Sequence, residues 1–275
     1  MLSKERILSV NVSRGKRTEF VNSILELGRK RKSSYVCLAN VHMLIEAHWS
    51  ESFKKVVNGA DIVTPDGMPV TKSFNTLYGI QQERVDGMSL LPLLLEKSIE
   101  ENLSVYFYGS SAEIIKRTMS FIKRDYPSLN VVGMYSPPFR YLTEAEEEAV
   151  IDNIASSGAN IVFVALGCPK QEQWMADMRG RIPSVMVGIG GALSVLIGLQ
   201  KRAPLWMQRN SLEWLYRLLQ EPKRLFKRYF ITNSTYLYLL FKEKTGRKKI
   251  DYRIPTPQIS NREKAGNEIL ENKFS

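Results

Sequence analysis

Short apolar, β-branched runs alternate with stretches of helical spacing along the first 200 residues. The runs Tyr35–Leu38, Asp61–Thr64, Val105–Tyr108, Asn130–Gly133, Asn160–Leu166 and Ser184–Gly188 read as strands. Each is followed by a segment of helical periodicity, as Ile114, Met119 and Ile122 follow the third. Continuously apolar strands separated by helices require a sheet covered on both faces. The pattern therefore predicts a mostly parallel, Rossmann-like α/β domain over residues 1–200.

Open sheets of this class bind ligands outside the carboxyl ends of their strands. The residues at those ends are Asn40, the turn Pro65-Asp66-Gly67, Gly109-Ser110-Ser111, the run from Gly167 to Glu172, and Gly188-Ile189-Gly190-Gly191. Small, amide-exposing and polar groups recur there, which suits a phosphate or nucleotide. The glycine cluster does not have the spacing of the dinucleotide fingerprint, which disfavours a nicotinamide enzyme, including an epimerase that uses one. A carboxylate at the position of Asp66 can serve as a general base, and Pro-Asp-Gly is equally a common turn sequence. Lys170 and Gln171 can meet a pyrophosphate or a base edge, whereas Glu172 reads as a first-turn capping acid. Cys168 has no nearby histidine to activate it and reads as a packed residue.

After Gln200 the text becomes almost wholly helical, with Leu212, Leu215, Tyr216 and Leu219 at helical spacing. This marks a basic helical appendage over 201–249, followed by a charged, proline-containing tail, 250–275, that predicts disorder. Between Lys201 and Lys249 there are 13 Lys and Arg against three acids, Glu213, Glu221 and Glu243, so nearly all of the net charge of +11 sits there. Such a segment is a solvated basic face or a site for anionic partners: phospholipid head groups, pyrophosphate or nucleic acid. Tyr, Leu and Ile enrich Tyr229–Phe241, which is too short to span a bilayer and suits the interface. A nucleic-acid-binding protein is the rival reading, because basic residues alternate with aromatics here.

Two cysteines and two histidines, without clustering, argue against a disulfide framework or a structural zinc site. No run suits a signal peptide or a membrane-spanning helix, which points to a soluble or peripheral protein of a reducing compartment.

Taken together, several separated motifs resemble the WecG/TagA/CpsF glycosyltransferases of bacterial cell-surface polysaccharide synthesis. They are Asn40-Val-His-Met-Leu, Ala60-Asp-Ile-Val-Thr-Pro-Asp-Gly-Met-Pro, Arg84-Val-Asp-Gly, Phe107-Tyr-Gly-Ser, Leu166-Gly-Cys-Pro-Lys-Gln-Glu, and Lys201-Arg-Ala-Pro continuing into Leu212-Glu-Trp-Leu-Tyr-Arg and Glu221-Pro. The resemblance implies an inverting transferase that needs no metal cofactor. It also implies a UDP-sugar donor, an undecaprenyl-diphosphate-linked acceptor, no nucleic-acid partner, and a peripheral place on the inner face of the cell membrane through 201–249. Residue by residue, it makes Asp66 the general base and puts Asn40, Arg84 and Gln171 at the donor. Gly109, Lys170, Gly190 and Gly191 fall in the substrate-binding segments, and Arg217, Arg224, Lys227 and Arg228 fall in the appendage, positioned to hold diphosphates. Two departures bear on the donor: many members carry an acid where Gly191-Ala192-Leu193-Ser194 stands, and a hydroxyl residue where Leu38 stands. The donor sugar is left open among N-acetylmannosamine, its uronic acid and glucose.

Overall fold

The computed structural model describes residues 2–140 and 142–251, apart from the side chains of Arg224 and residues 247–251. The tail expected to be disordered lies outside the described residues from 252 onward.

The chain opens with an antiparallel hairpin, β1 (Lys4–Ile7) and β2 (Val10–Ser13), and helix α1 (Arg17–Arg29). The main sheet contains β3 (Ser34–Ala39), β4 (Ile62–Pro65), β5 (Val105–Gly109), β6 (Val131–Tyr135), β7 (Ile161–Ala165) and β8 (Val185–Gly188). Its order is β4-β3-β8-β7-β5-β6 with every pairing parallel. Helices α2 (Val41–Trp49), α3 (Glu51–Asn58), α4 (Met68–Tyr78), α5 (Gly87–Glu100), α6 (Ala112–Asp125), α7 (Glu144–Ser156), α8 (Lys170–Asp177) and α9 (Ala192–Leu196) connect or follow the strands. The six expected strands are present, with each end within two residues of its expected position. The hairpin escaped the sequence reading because Lys4, Glu5 and Arg6 mask the alternation, although Ile7, Val10 and Val12 are fully buried. It covers the β4 edge, where Val63 N donates to Ser13 Oγ at 3.1 Å, and so protects an edge that would otherwise invite further pairing.

Alternate residues of β3 feed two cores. Tyr35, Cys37 and Ala39 pack with α2, α3, α4 and α8 on one face, and Val36 and Leu38 pack with α1 and α5 on the other. All six β3 residues are buried, as expected for a central parallel strand.

Beyond residue 200 come α10 (Leu205–Arg209), α11 (Glu213–Gln220) and the long α12 (Pro222–Asp251). The last helix lies against α2 and α4. Tyr236, 1% exposed, sits within 2.6 Å of Ser73 Oγ on α4. Farther along, Leu8 N of the hairpin turn donates to Glu243 at 2.9 Å. The appendage is thereby fixed across the carboxyl end of the sheet.

Candidate active site

The chain leaves β3 into α2 on one face of the sheet and leaves the neighbouring β8 into α9 on the other. Adjacent strands whose connections diverge leave a crevice between them, the usual ligand position in open α/β sheets. A cavity of about 800 Å³ occupies that crevice, and α11 and α12 close it from above.

Each strand end presents its residue through a local device. Asn40 caps α2, its Oδ1 accepting from Met43 N at 3.1 Å. Asp66 follows β4, and its backbone N donates to Ala39 O at 3.0 Å, which pins it beside the end of β3. Gly67 then turns the chain with φ +91° into α4. Val85 is tied to the same turn: its N donates to Pro65 O at 3.1 Å and its carbonyl accepts from Thr64 Oγ1 at 2.9 Å. Asp86 is therefore carried to the cavity wall that holds Asp66.

Gln171 is held from two sides. Its Oε1 accepts from Gly167 N at 3.1 Å and its Nε2 donates to Glu172 Oε1 at 2.7 Å. A Cβ at Gly188 would stand 2.9 Å from that Nε2, so only glycine leaves the amide room. Glu172 differs from the expected capping acid: it is fully buried, burial raises its carboxyl above the usual range, and it anchors Gln171. Cys168 borders the cavity with its thiol pushed up by burial and then by Glu172.

The cavity brings together Asn40, Asp66, Gln171, Gly190 and Gly191 from the α/β domain with Arg217 and Arg228 from the appendage. Other candidate residues lie elsewhere. Arg84 stands behind the wall, its Nε 3.2 Å from Asp86 and its Nη1 paired with Glu213. Gly109 is outside the lining, and its glycine is required because a Cβ there would stand 2.8 Å from the Ala165 backbone. Lys170 and Lys227 are exposed and outside the lining. Arg224 lies on α12 with its side chain outside the described residues. Sequence reasoning missed Asp86, Arg202, Glu213 and His42. All four stand inside the quoted motifs, but their roles were hidden because Asp86–Arg202 and Arg84–Glu213 join segments more than 100 residues apart.

The electrostatics favour a neutral-pH base. Asp66 is pushed up to about 7, chiefly by desolvation and next by Asp86, with Arg217 opposing. A carboxyl so placed exchanges its proton near neutrality, where general-base catalysis works best. His42 is pulled down to about 4, first by burial and then by Arg228, so it stands neutral in the cavity. Its Nδ1 is 3.6 Å from Glu46, beyond hydrogen-bond reach. The cationic lining thus consists of Lys201, Arg202, Arg217 and Arg228. Among the described residues no cluster of His, Cys, Asp or Glu has the makings of a metal site.

Residues 5–250 match the family described as Glycosyl transferase WecG/TagA/CpsF family. The chain belongs to the WecG/TagA/CpsF glycosyltransferase family. It is therefore a glycosyltransferase. A relative from Bacillus spizizenii, named N-acetylglucosaminyldiphosphoundecaprenol N-acetyl-beta-D-mannosaminyltransferase, is 35% identical over 196 residues, covering 71% of this chain and 74% of its own. Of the basic segment, Arg217 and Arg228 line the cavity, whereas Lys223 and Lys227 are exposed.

Proposed function

We propose that this glycosyltransferase moves an N-acetylmannosamine-type sugar from a UDP donor to a polyprenyl-diphosphate-linked N-acetylglucosamine, with Asp66 as general base. The observation that carries the reading is the shared cavity, which sets a near-neutral carboxyl from one unit opposite guanidinium groups from the other. The relative's name supplies the sugar and the acceptor.

In this scheme Asp66 accepts the proton of the acceptor hydroxyl as its oxygen attacks the anomeric carbon from the face opposite UDP. The configuration at that carbon inverts. Charge gathers on the departing diphosphate, and Arg217, Arg228 and the amides near Gly190 and Gly191 meet it with charge-assisted hydrogen bonds. These groups supply the positive field that a divalent ion supplies in other transferases, so turnover in the presence of a chelator is expected. Gln171 and Asn40 position the donor beside them.

The membrane-facing part of the reading rests on α12. Phe226, Phe230, Leu237 and Phe241 are each more than 60% exposed and recur at helical spacing, with exposed Lys223, Lys227 and Lys244 among them. Aromatic rings set among lysines suit the head-group region of an anionic bilayer. No helix among the described residues is long and apolar enough to cross a membrane. Leu237 belongs both to this stripe and to the cavity lining, so a lipid held at the stripe has its diphosphate at the cavity mouth. The reading therefore includes a peripheral place on the cytoplasmic membrane face, which the exposed stripe supports.

The test is a panel of UDP-sugars against undecaprenyl-diphosphate-linked acceptors, scored by product mass. Addition of one N-acetylhexosamine from UDP-N-acetylmannosamine is the expected result. Product from a different donor would overturn the sugar assignment, and no product from any UDP-sugar would overturn the reading as a whole.

A further inference from the structure

Along one wall of the cavity runs a chain of alternating charges that the reaction scheme does not use. Asp86, 3% exposed at the start of α5, accepts from Ser89 N at 3.1 Å and Ser89 Oγ at 2.9 Å. Its two oxygens also meet Arg84 Nε at 3.2 Å and Arg202 Nη2 at 3.0 Å. Arg84 continues to Glu213 through Nη1 and to Gln208 through Nη2 at 3.3 Å. Arg202 returns toward Glu213, Nε to Oε1, at 3.8 Å. The quartet joins two residues of the α/β domain to two of the appendage, and its formal charges cancel.

We propose that Asp86 is a positioning residue, the buried hub of a partly exposed ion network that latches the appendage over the cavity so that Arg217 and Asp66 face one bound pair of substrates. The proposal deepens, and rests on, the assignment of Asp66 as base. Asp86 is the buried charge of the set, and stripping it of its partners is strongly unfavourable, so it constrains the two arginines it meets. The constraint falls where it matters: Glu213 opens the helix that carries Arg217, and Arg202 lies in the segment where the chain leaves the α/β domain. A hydrophobic seam would join the two parts as firmly but would leave their rotation less defined. Guanidinium–carboxylate contacts fix direction as well as distance.

The network also faces Asp66. Asp86 and Arg84 lie on the segment before α5, and Glu213 and Arg217 on α11. The two acids raise the Asp66 carboxyl and the two arginines lower it, against the larger effect of burial. Removing Asp86 removes an acid from that set and leaves Arg84 with one carboxylate partner in place of two, and both changes favour ionised Asp66. A residue serving only to hold the fold would not produce this signature.

The experiment measures the pH dependence of kcat/KM and the acceptor KM for full-length wild type, Asp86→Asn, Glu213→Gln and Arg202→Gln. Undecaprenyl-diphosphate-linked N-acetylglucosamine is the acceptor, and thermal melting confirms folding. In Asp86→Asn the acidic limb should move to lower pH by about half a unit or more, and the acceptor KM should rise. Glu213→Gln should move the limb in the same direction, and it carries the test if Asp86→Asn does not fold. Arg202→Gln, which breaks the latch without removing an acid beside Asp66, should raise the acceptor KM about tenfold and should not move the limb to lower pH. Folded acid variants with the wild-type limb and acceptor KM would overturn the proposal, as would an unchanged KM in Arg202→Gln. If wild type shows no acidic limb, the assignment of Asp66 as base has failed instead, and the KM of Arg202→Gln then decides on the latch alone.

Discussion

Tyr236 of the terminal helix and Ser73 of α4 share a buried hydrogen bond of 2.6 Å, 163 residues apart in sequence. The tyrosine hydroxyl also reaches Pro69 O at 3.3 Å, three residues after Asp66. This one side chain thus ties the helix that carries Arg228 to the helix that follows Asp66. Tyr236→Phe should lower stability by about 1 kcal/mol, the net worth of one buried hydrogen bond. Tyr236→Ala should cost about 3–5 kcal/mol through the cavity it leaves and should depress turnover by letting α12 shift. Chemical denaturation alongside steady-state kinetics checks both values.

Gly188 predicts a donor-binding defect. A methyl group there would crowd Met175 Cε at 2.8 Å and Gln171 Nε2 at 2.9 Å. Methionine can yield, whereas Gln171 is held by Gly167 and Glu172. Gly188→Ala should therefore cost about 1–3 kcal/mol in stability and raise the UDP-sugar KM about tenfold, with a smaller effect on the acceptor KM. Initial rates at varied donor concentration test this.

The aromatic stripe of α12 predicts separable membrane and catalytic behaviour. Phe226 and Phe230 stack with ring centroids 6.2 Å apart while remaining largely exposed. Replacing both with Asp should abolish sedimentation with vesicles containing anionic phospholipid. The same variant should keep near-normal rates on a water-soluble, short-chain acceptor, because neither residue lines the cavity. Loss of both activities together would show that the stripe does more than meet a membrane.

Asp66 predicts a stability signature with a definite sign. Its folded pKa, about 7, is above the ordinary 3.8. Folding therefore favours the protonated carboxyl, and the stability gained with it is fully present below the unfolded pKa and lost as pH rises through the folded one. Asp66→Asn escapes this loss. Relative to wild type it should gain stability progressively between the two values, by at most about 4 kcal/mol, and the difference should level off above the upper one. Melting curves across that range measure it.

Much of this arrangement was legible in the sequence because it rests on local patterns. β3, β5 and β7 are unbroken apolar runs, and Asn40 and Asp66 stand where such runs stop. The hairpin was hidden because charged residues break its alternation and its burial comes from lying beside β4. Glu172 looked like a first-turn acid because its isolation from water is a tertiary fact. Arg84 illustrates the same limit: its motif was readable, but its partners Gln208 and Glu213 depend on how the appendage docks. Lys227 and Arg228 are neighbours in sequence, yet one faces out and the other faces the cavity, a distinction set by the rotation of α12.

In the proposed reaction Asp66 removes the acceptor proton. The most direct test of this step is the pH profile of kcat/KM for wild type beside the rate of Asp66→Asn, with UDP-N-acetylmannosamine and undecaprenyl-diphosphate-linked N-acetylglucosamine. The account predicts that wild-type activity rises with pH to a plateau through an apparent pKa near 7, and that folded Asp66→Asn loses turnover by about 100-fold or more at every pH. A folded Asp66→Asn enzyme with near-normal turnover would contradict it.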